Sequence, residues 1–264
     1  KRRSTNMKKM TIASSLILAT IAVGTLPVQA EEVANRDTDA IEKFKAPDEK
    51  DPNSKNPVVD PEDKDGKDPV TPIDPVNPDK PVDEGYTGPL TLDYASSLNF
   101  GENIISTKDE IYFASAQVLK DKNNVEKTGP LFAQITDNRG TLEGWTLSAK
   151  QNSAFTSATK GLTLEGTEIV FQNASAVTAG QSAAPTSLAS VTFGTVGESH
   201  NVMVAATDQG AGKWSYLYGN ASSIAEVDGR QVMKDVQLKV PGKSVKLNDA
   251  YKTTITWTLA NTPV

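Results

Sequence analysis

The chain of 264 residues has no cysteine and one histidine. That excludes a disulfide framework, a thiolate nucleophile and a cysteine-ligated zinc or iron–sulfur centre. A single imidazole also gives a multi-histidine metal site nothing to build on. Aromatic residues make up only 6% of the chain, so the core must rest mainly on Val, Leu, Ile and Ala. Beyond Leu90 no long apolar run keeps a 3.6-residue period, which argues against a helical body.

What is present begins with a basic stretch (Lys1, Arg2, Arg3, Lys8, Lys9), an apolar run over about 11–28 and a small-residue close at Val28-Gln29-Ala30. This pattern predicts a secretory signal over 1–30, cleaved after Ala30, with the natural start at Met7. Cleavage removes five positive charges and takes the formal net charge from −6 to −11. Such acidity argues against nucleic acid or an anionic membrane as partner, since both call for a basic surface. The mature form is expected to have no membrane insertion.

Residues 31–85 read as a disordered acidic Pro/Asp-rich spacer. Residues 45–84 alone carry a net charge of −6, against −2 for the whole of 85–264. Nine of the fifteen prolines fall within 47–81, and Pro72, Pro75, Pro78 and Pro81 recur every third residue, the period of polyproline II. An extended arm of this kind reaches on the order of 110 Å. Its Asp60 to Asp68 stretch lacks EF-hand spacing, so no metal site is expected.

Residues 86–264 form the expected folded domain. Alternating runs predict strands at 90–94, 110–119, 131–136, 144–150, 162–171, 188–193, 201–207, 213–218, 236–240 and 253–259. Gln172 to Ala189, rich in Ala, Ser and Thr and broken by Gly180 and Pro185, reads as a long loop. Many short strands joined by turn residues point to an all-β fold, an antiparallel β-sandwich or barrel-like domain.

Two tripeptides stand out. Trp145-Thr146-Leu147 lies in a central strand and Trp257-Thr258-Leu259 in the last one. Residues two apart on a strand share a face, so each Trp and Leu is either a pair of core pegs or, in part, the lining of a groove; the spacing fits both. Trp214, Tyr216 and Tyr218 alternate in the same way and are candidate ligand-facing aromatics, with core packing the competing reading. His200 is the one imidazole available to a Ser-His-Asp hydrolase, and no G-x-S-x-G turn accompanies it. No catalytic residue, cofactor or metal is expected.

Together with Leu98-Asn99-Phe100-Gly101, Gly144 and Tyr251, the paired Trp-x-Leu motifs resemble the WxL-domain family of Gram-positive cell-surface proteins. The resemblance covers about 88–264 and leaves the Pro/Asp arm outside. It implies a non-catalytic, secreted domain at the bacterial cell wall that attaches non-covalently to peptidoglycan. It also implies membrane-anchored and sortase-anchored surface proteins as partners. The alternative is a structural subunit that docks onto a membrane-anchored surface protein, with wall attachment indirect. Neither an LPxTG sortase motif nor an apolar tail follows the last motif, in keeping with non-covalent attachment.

Overall fold

A computed structural model describes residues 36–51, 54–80 and 87–263; the expected signal peptide and Pro81 lie outside them. The chain divides into two units, 1–43 and 44–264. Of the first, residues 36–43 are described and carry neither helix nor strand. Among the described residues no helix is long and apolar enough to cross a membrane.

The second unit is built from short strands: β1 (Thr71–Ile73), β2 (Leu90–Ala95), β3 (Glu110–Ser115), β4 (Gln117–Lys120), β5 (Glu126–Gly129) and β6 (Phe132–Asp137). There follow β7 (Trp145–Gln151), β8 (Thr156–Ser157), β9 (Glu168–Phe171), β10 (Ser175–Val177), β11 (Thr186–Ser187) and β12 (Val191–Phe193). The last are β13 (Ser199–Ala205), β14 (Gly212–Leu217), β15 (Ile224–Val227), β16 (Arg230–Val240), β17 (Tyr251–Lys252) and β18 (Ile255–Ala260).

All the ladders among named strands are antiparallel, but the expected sandwich or barrel is not what they form. The strands divide into sheets ordered β1-β4-β5, β10-β14-β6-β2, β11-β13-β7-β18 and β12-β9-β16-β15, with β3 also on β16 and a ribbon β17-β8. These four small sheets stand as separate blades, neither two facing layers nor a closed cylinder. A propeller of repeats takes each blade from consecutive strands; here each of the larger blades joins distant segments. Register shifts at Leu92/Tyr94, Asn201/Met203 and Met233/Gln237 interrupt the ladders. Such bulges increase the local twist of the strands, and pairing continues on both sides of each shift.

One large core joins the blades. Trp145, Leu147, Phe171, Phe193, Met203 and Tyr216 are all essentially inaccessible to solvent. Burying side chains of this size contributes about 1.5–3 kcal/mol each. Expected alternation holds where one face is solvated: on β18, Ile255, Trp257 and Leu259 are half-buried while Thr256 and Thr258 are exposed. The 172–189 segment is largely irregular, as read, with the short strands β10 and β11 in it.

The arm departs most from expectation. Residues 54–80 are not a free spacer, because β6 is buried at all six positions and needs cover on both faces. Ala133 and Ile135 enter the main core; Phe132 joins a second cluster with Leu119 and Leu217, against which Val58 and Val70 of the arm pack. Pro72 sits in β1 opposite Leu119, so the three-residue proline period does not persist as polyproline II there. Proline is tolerated on such an edge strand because its missing N–H need not face the ladder.

Polar side chains fix this cover. Gln134 accepts from the Val59 N–H at 3.0 Å and donates to Asp93 Oδ2 at 2.9 Å. Asp93 also accepts from Thr91 and Thr136, each at 2.6 Å, and lies 3.6 Å from Lys213 Nζ. Burial pushes the Asp93 carboxyl up and the Lys213 ammonium down. Gln134→Ala leaves buried partners unsatisfied and should cost about 2–3 kcal/mol in chemical denaturation. Amide exchange at Val59 should accelerate in that variant; an unchanged rate would mean the arm is held by something else.

Candidate functional site

The two Trp-x-Leu segments meet in one sheet. β18 pairs with β7 so that Leu259 lies opposite Leu147 and Trp257 opposite Ala149. Their burial differs. β7 is central, and Trp145 and Leu147 are fully buried; β18 is an edge, and Trp257 and Leu259 are half-buried. Trp145 and Leu147 are therefore core pegs, and Trp257 keeps part of its ring accessible.

Two glycines make room for Trp145. Its indole N–H donates to Gly210 O at 3.0 Å. A Cβ on Gly210, at φ +73°, would stand 2.8 Å from Trp145 Nε1. A Cβ on Gly144, at φ +80°, would stand 2.2 Å from Ala205 O. Both positions combine the left-handed region with close backbone approach, which only glycine accepts without strain.

Arg139 ties the ends of both strands together. Its guanidinium donates to Gly144 O at 2.6 Å, just before β7, and to Asn261 O at 3.2 Å, just after β18. It is itself held by the buried Asp137 carboxylate through Nε at 3.0 Å and Nη2 at 2.8 Å. The hydrogen bond to Asp137 raises the Arg139 pKa further, so the guanidinium stays charged. Nothing in the sequence marks this residue, since the two backbone oxygens it joins are over a hundred positions apart.

The Trp257 ring ends a stack of three aromatics. It lies nearly parallel to Tyr218, centroids 5.1 Å apart, and Tyr218 lies parallel to Phe171 at 4.7 Å. Trp214, Tyr216 and Tyr218 are 2%, 0% and 0% exposed, so the alternating aromatics form an interior row and present no open ring face to a ligand. Trp214 and Tyr216 donate to Ala211 O and Leu188 O. The Tyr218 hydroxyl makes no hydrogen bond; the nearby Ser96 N–H is already committed to Phe132 O at 2.8 Å. Burial raises its pKa strongly. His200, on β13, meets Phe193 edge-on at 5.4 Å.

Above this stack runs a groove of about 1000 Å³. One wall is 95–105, the other is 246–255, and Trp257 and Phe155 form the floor, with the sealed Tyr218 stacked beneath Trp257. Leu98, Asn99, Phe100 and Gly101 all line it, as does Tyr251. The first wall is set by Arg230, whose guanidinium lies against Gly101, at φ +76°, and donates to Phe100 O at 3.4 Å. Beyond it Ile104 and Ile105 stand exposed at the rim. In the second wall, Tyr251 Oη accepts from the Leu247 N–H at 2.8 Å, and Lys246 donates to the carbonyls of Pro241 and Ser244. The Asp249 carboxylate accepts from the Ser157 hydroxyl and from the Thr159 N–H at 2.9 Å.

The groove is an open, polar-walled slot with an aromatic floor. Such a surface can hold an extended chain of mixed polarity. Among the described residues no cluster of three or more His, Asp or Glu is placed to hold a metal ion.

Two outcomes test this construction. Arg139→Ala leaves the Asp137 carboxylate unpaired and two carbonyls without donors, and should cost about 3 kcal/mol in urea denaturation; a change under about 1 kcal/mol would show that the strands hold without the clamp. The bonds from Ser157 and Thr159 hold the Asp249 pKa down at about 2. A carboxyl lowered on folding stabilises above its ordinary pKa, near 4, and the contribution fades as pH falls towards the folded value. The Thr159 amide resonance should thus titrate near pH 2 in the wild type and show no such step in Asp249→Asn.

Among curated proteins and solved structures, no match was found. Against protein families, residues 31–263 match the WxL domain, described as surface cell wall-binding, so the match takes in the arm as well as the body. The chain belongs to the WxL domain family of cell-surface proteins.

Proposed function

We propose that this surface protein, whose general role is non-catalytic, is retained on the Gram-positive wall by non-covalent binding of peptidoglycan in the groove above Trp257. The observation that carries the reading is convergence. Leu98 to Gly101, Tyr251 and Trp257 come from segments far apart in sequence, and all line one groove.

The chemistry suits a glycan with attached peptide. An indole offers an apolar face to the C–H side of a sugar ring, and the walls supply amide, hydroxyl and carboxylate groups at Asn99, Asn103, Thr253 and Asp249. Pockets that bind small ligands combine an apolar floor with a few polar groups in this way. Openness along the groove matches a polymer better than a compact molecule.

Co-sedimentation of the full chain with purified peptidoglycan tests the reading. Wild type should be retained, and Trp257→Ala should lose at least tenfold in retention while losing about 1–3 kcal/mol of stability, as expected for a half-buried ring. Ile104→Ser, at the exposed rim, should weaken retention without changing the melting temperature. Full retention of both variants would remove the groove from the attachment site.

A further inference from the structure

Sheet edges in this protein are blunted almost everywhere. β1 carries Pro72; β5 carries Glu126 and Lys127; β15 carries Glu226. β10 and β12 have three residues and β11 two. β2 has a register shift after Leu92 and the inward carboxylate of Asp93. Charge, proline, bulges and shortness are the devices that keep an edge from pairing with another chain. β18 has none of them. It is six residues long, Ile255-Thr256-Trp257-Thr258-Leu259-Ala260, uncharged, without proline, and in unbroken register with β7.

The direction of its backbone groups follows from the ladder. Asn152 N donates to Thr254 O at 2.9 Å, one step before the register pair Ile255–Gln151. Bonded and non-bonded pairs alternate along antiparallel strands, so Thr256 and Thr258 turn their N–H and C=O towards β7. Gln151 O accepting from the Gly197 N–H at 2.8 Å, on the β13 side, has the matching parity. Ile255, Trp257 and Leu259 therefore direct their N–H and C=O outward; among the described residues no strand pairs with that side, and β2 approaches β18 without forming a ladder.

We infer that the outer edge of β18 takes an extended segment of a partner polypeptide as a further strand on the sheet β11-β13-β7-β18. A row of donors and acceptors at strand spacing is satisfied by another extended backbone, and this is how strand addition supplies affinity, with alternate side chains supplying specificity. On one face the added strand lies beside Thr256 and Thr258, which favours Thr or Ser; on the other it lies beside Trp257 and Leu259, which favours apolar side chains. A second copy of this chain is the poorer occupant. Each mature copy carries a formal charge of −11, and two such copies repel; an uncharged or basic segment does not. This goes beyond wall binding, and it gives a physical form to assembly with another surface protein.

The probe is a displayed library of random seven-residue peptides, selected on the full chain and followed by amide exchange with the best synthetic peptide. Expected are sequences alternating apolar with Thr or Ser. In the free chain the Thr256 and Thr258 amides should already be protected, and the peptide should slow exchange at Trp257 and Leu259 at least tenfold. Thr258→Lys puts a charge on the exposed face of the edge, away from the groove. It should weaken the peptide at least tenfold while leaving melting temperature and peptidoglycan retention unchanged, so loss of peptide binding and loss of wall binding are read separately. The inference is overturned if no extended peptide is selected, or if selected peptides leave the Trp257 and Leu259 amides unprotected. It is also overturned if wild type self-associates through this edge and Thr258→Lys abolishes that association.

Discussion

The ladder between β7 and β18 is the constraint on which the rest of the structure depends. It places Leu147 against Leu259 across a distance of more than a hundred residues in sequence, and everything near the groove takes its position from it. Because β7 is central, its tryptophan is sealed against Gly210. Because β18 is an edge, its tryptophan lies at the margin, stacked on Tyr218 on one side and open to the groove on the other. One tripeptide thus serves as a core peg in one copy and as a surface element in the other. The difference is set by neighbours, not by the motif. Loop closure on this scale is entropically unfavourable, and the Arg139–Asp137 pair sits where both strand ends must be held together.

Much of this was legible in the sequence, and the reasons differ by element. Period-two alternation located β18 and the second half of β16, where one face is buried and the other solvated. It also located β6, read at 131–136, but not that β6 is buried on both faces. That second buried face hid the arm. Proline and acidic residues in 45–84 describe a chain that cannot form its own core, but they say nothing of whether another surface needs covering. Val58, Val70 and Pro72 supply that cover, held by side-chain bonds from Gln134 and Gln117 that no local pattern reveals. The division into blades was beyond reach because each larger sheet pairs segments far apart in the chain, such as β9 with β16 and β7 with β18, and no local pattern names a strand's partner.

The site was legible in its motifs but not in its geometry. The Trp-x-Leu pair, Leu98 to Gly101 and Tyr251 were readable as a set; that Leu98 to Gly101, Tyr251 and Trp257 line one groove required the fold. Trp214, Tyr216 and Tyr218 show the limit of spacing as an argument. Rings two apart share a face whether that face meets solvent or a core, and here it meets the core. Arg139 and Arg230 were invisible because each acts on backbone oxygens, Gly144 and Asn261 for one and Phe100 for the other.

Tryptophan fluorescence measures the central claim most directly, since Trp145 and Trp214 are sealed at 0% and 2% exposure and only Trp257 meets the groove. With acrylamide as quencher, the account predicts one accessible tryptophan population in the free protein and its protection when soluble peptidoglycan fragments saturate the chain. Fragments that bind while leaving quenching unchanged would contradict it, because they would place the wall ligand somewhere other than the groove built on the paired Trp-x-Leu strands.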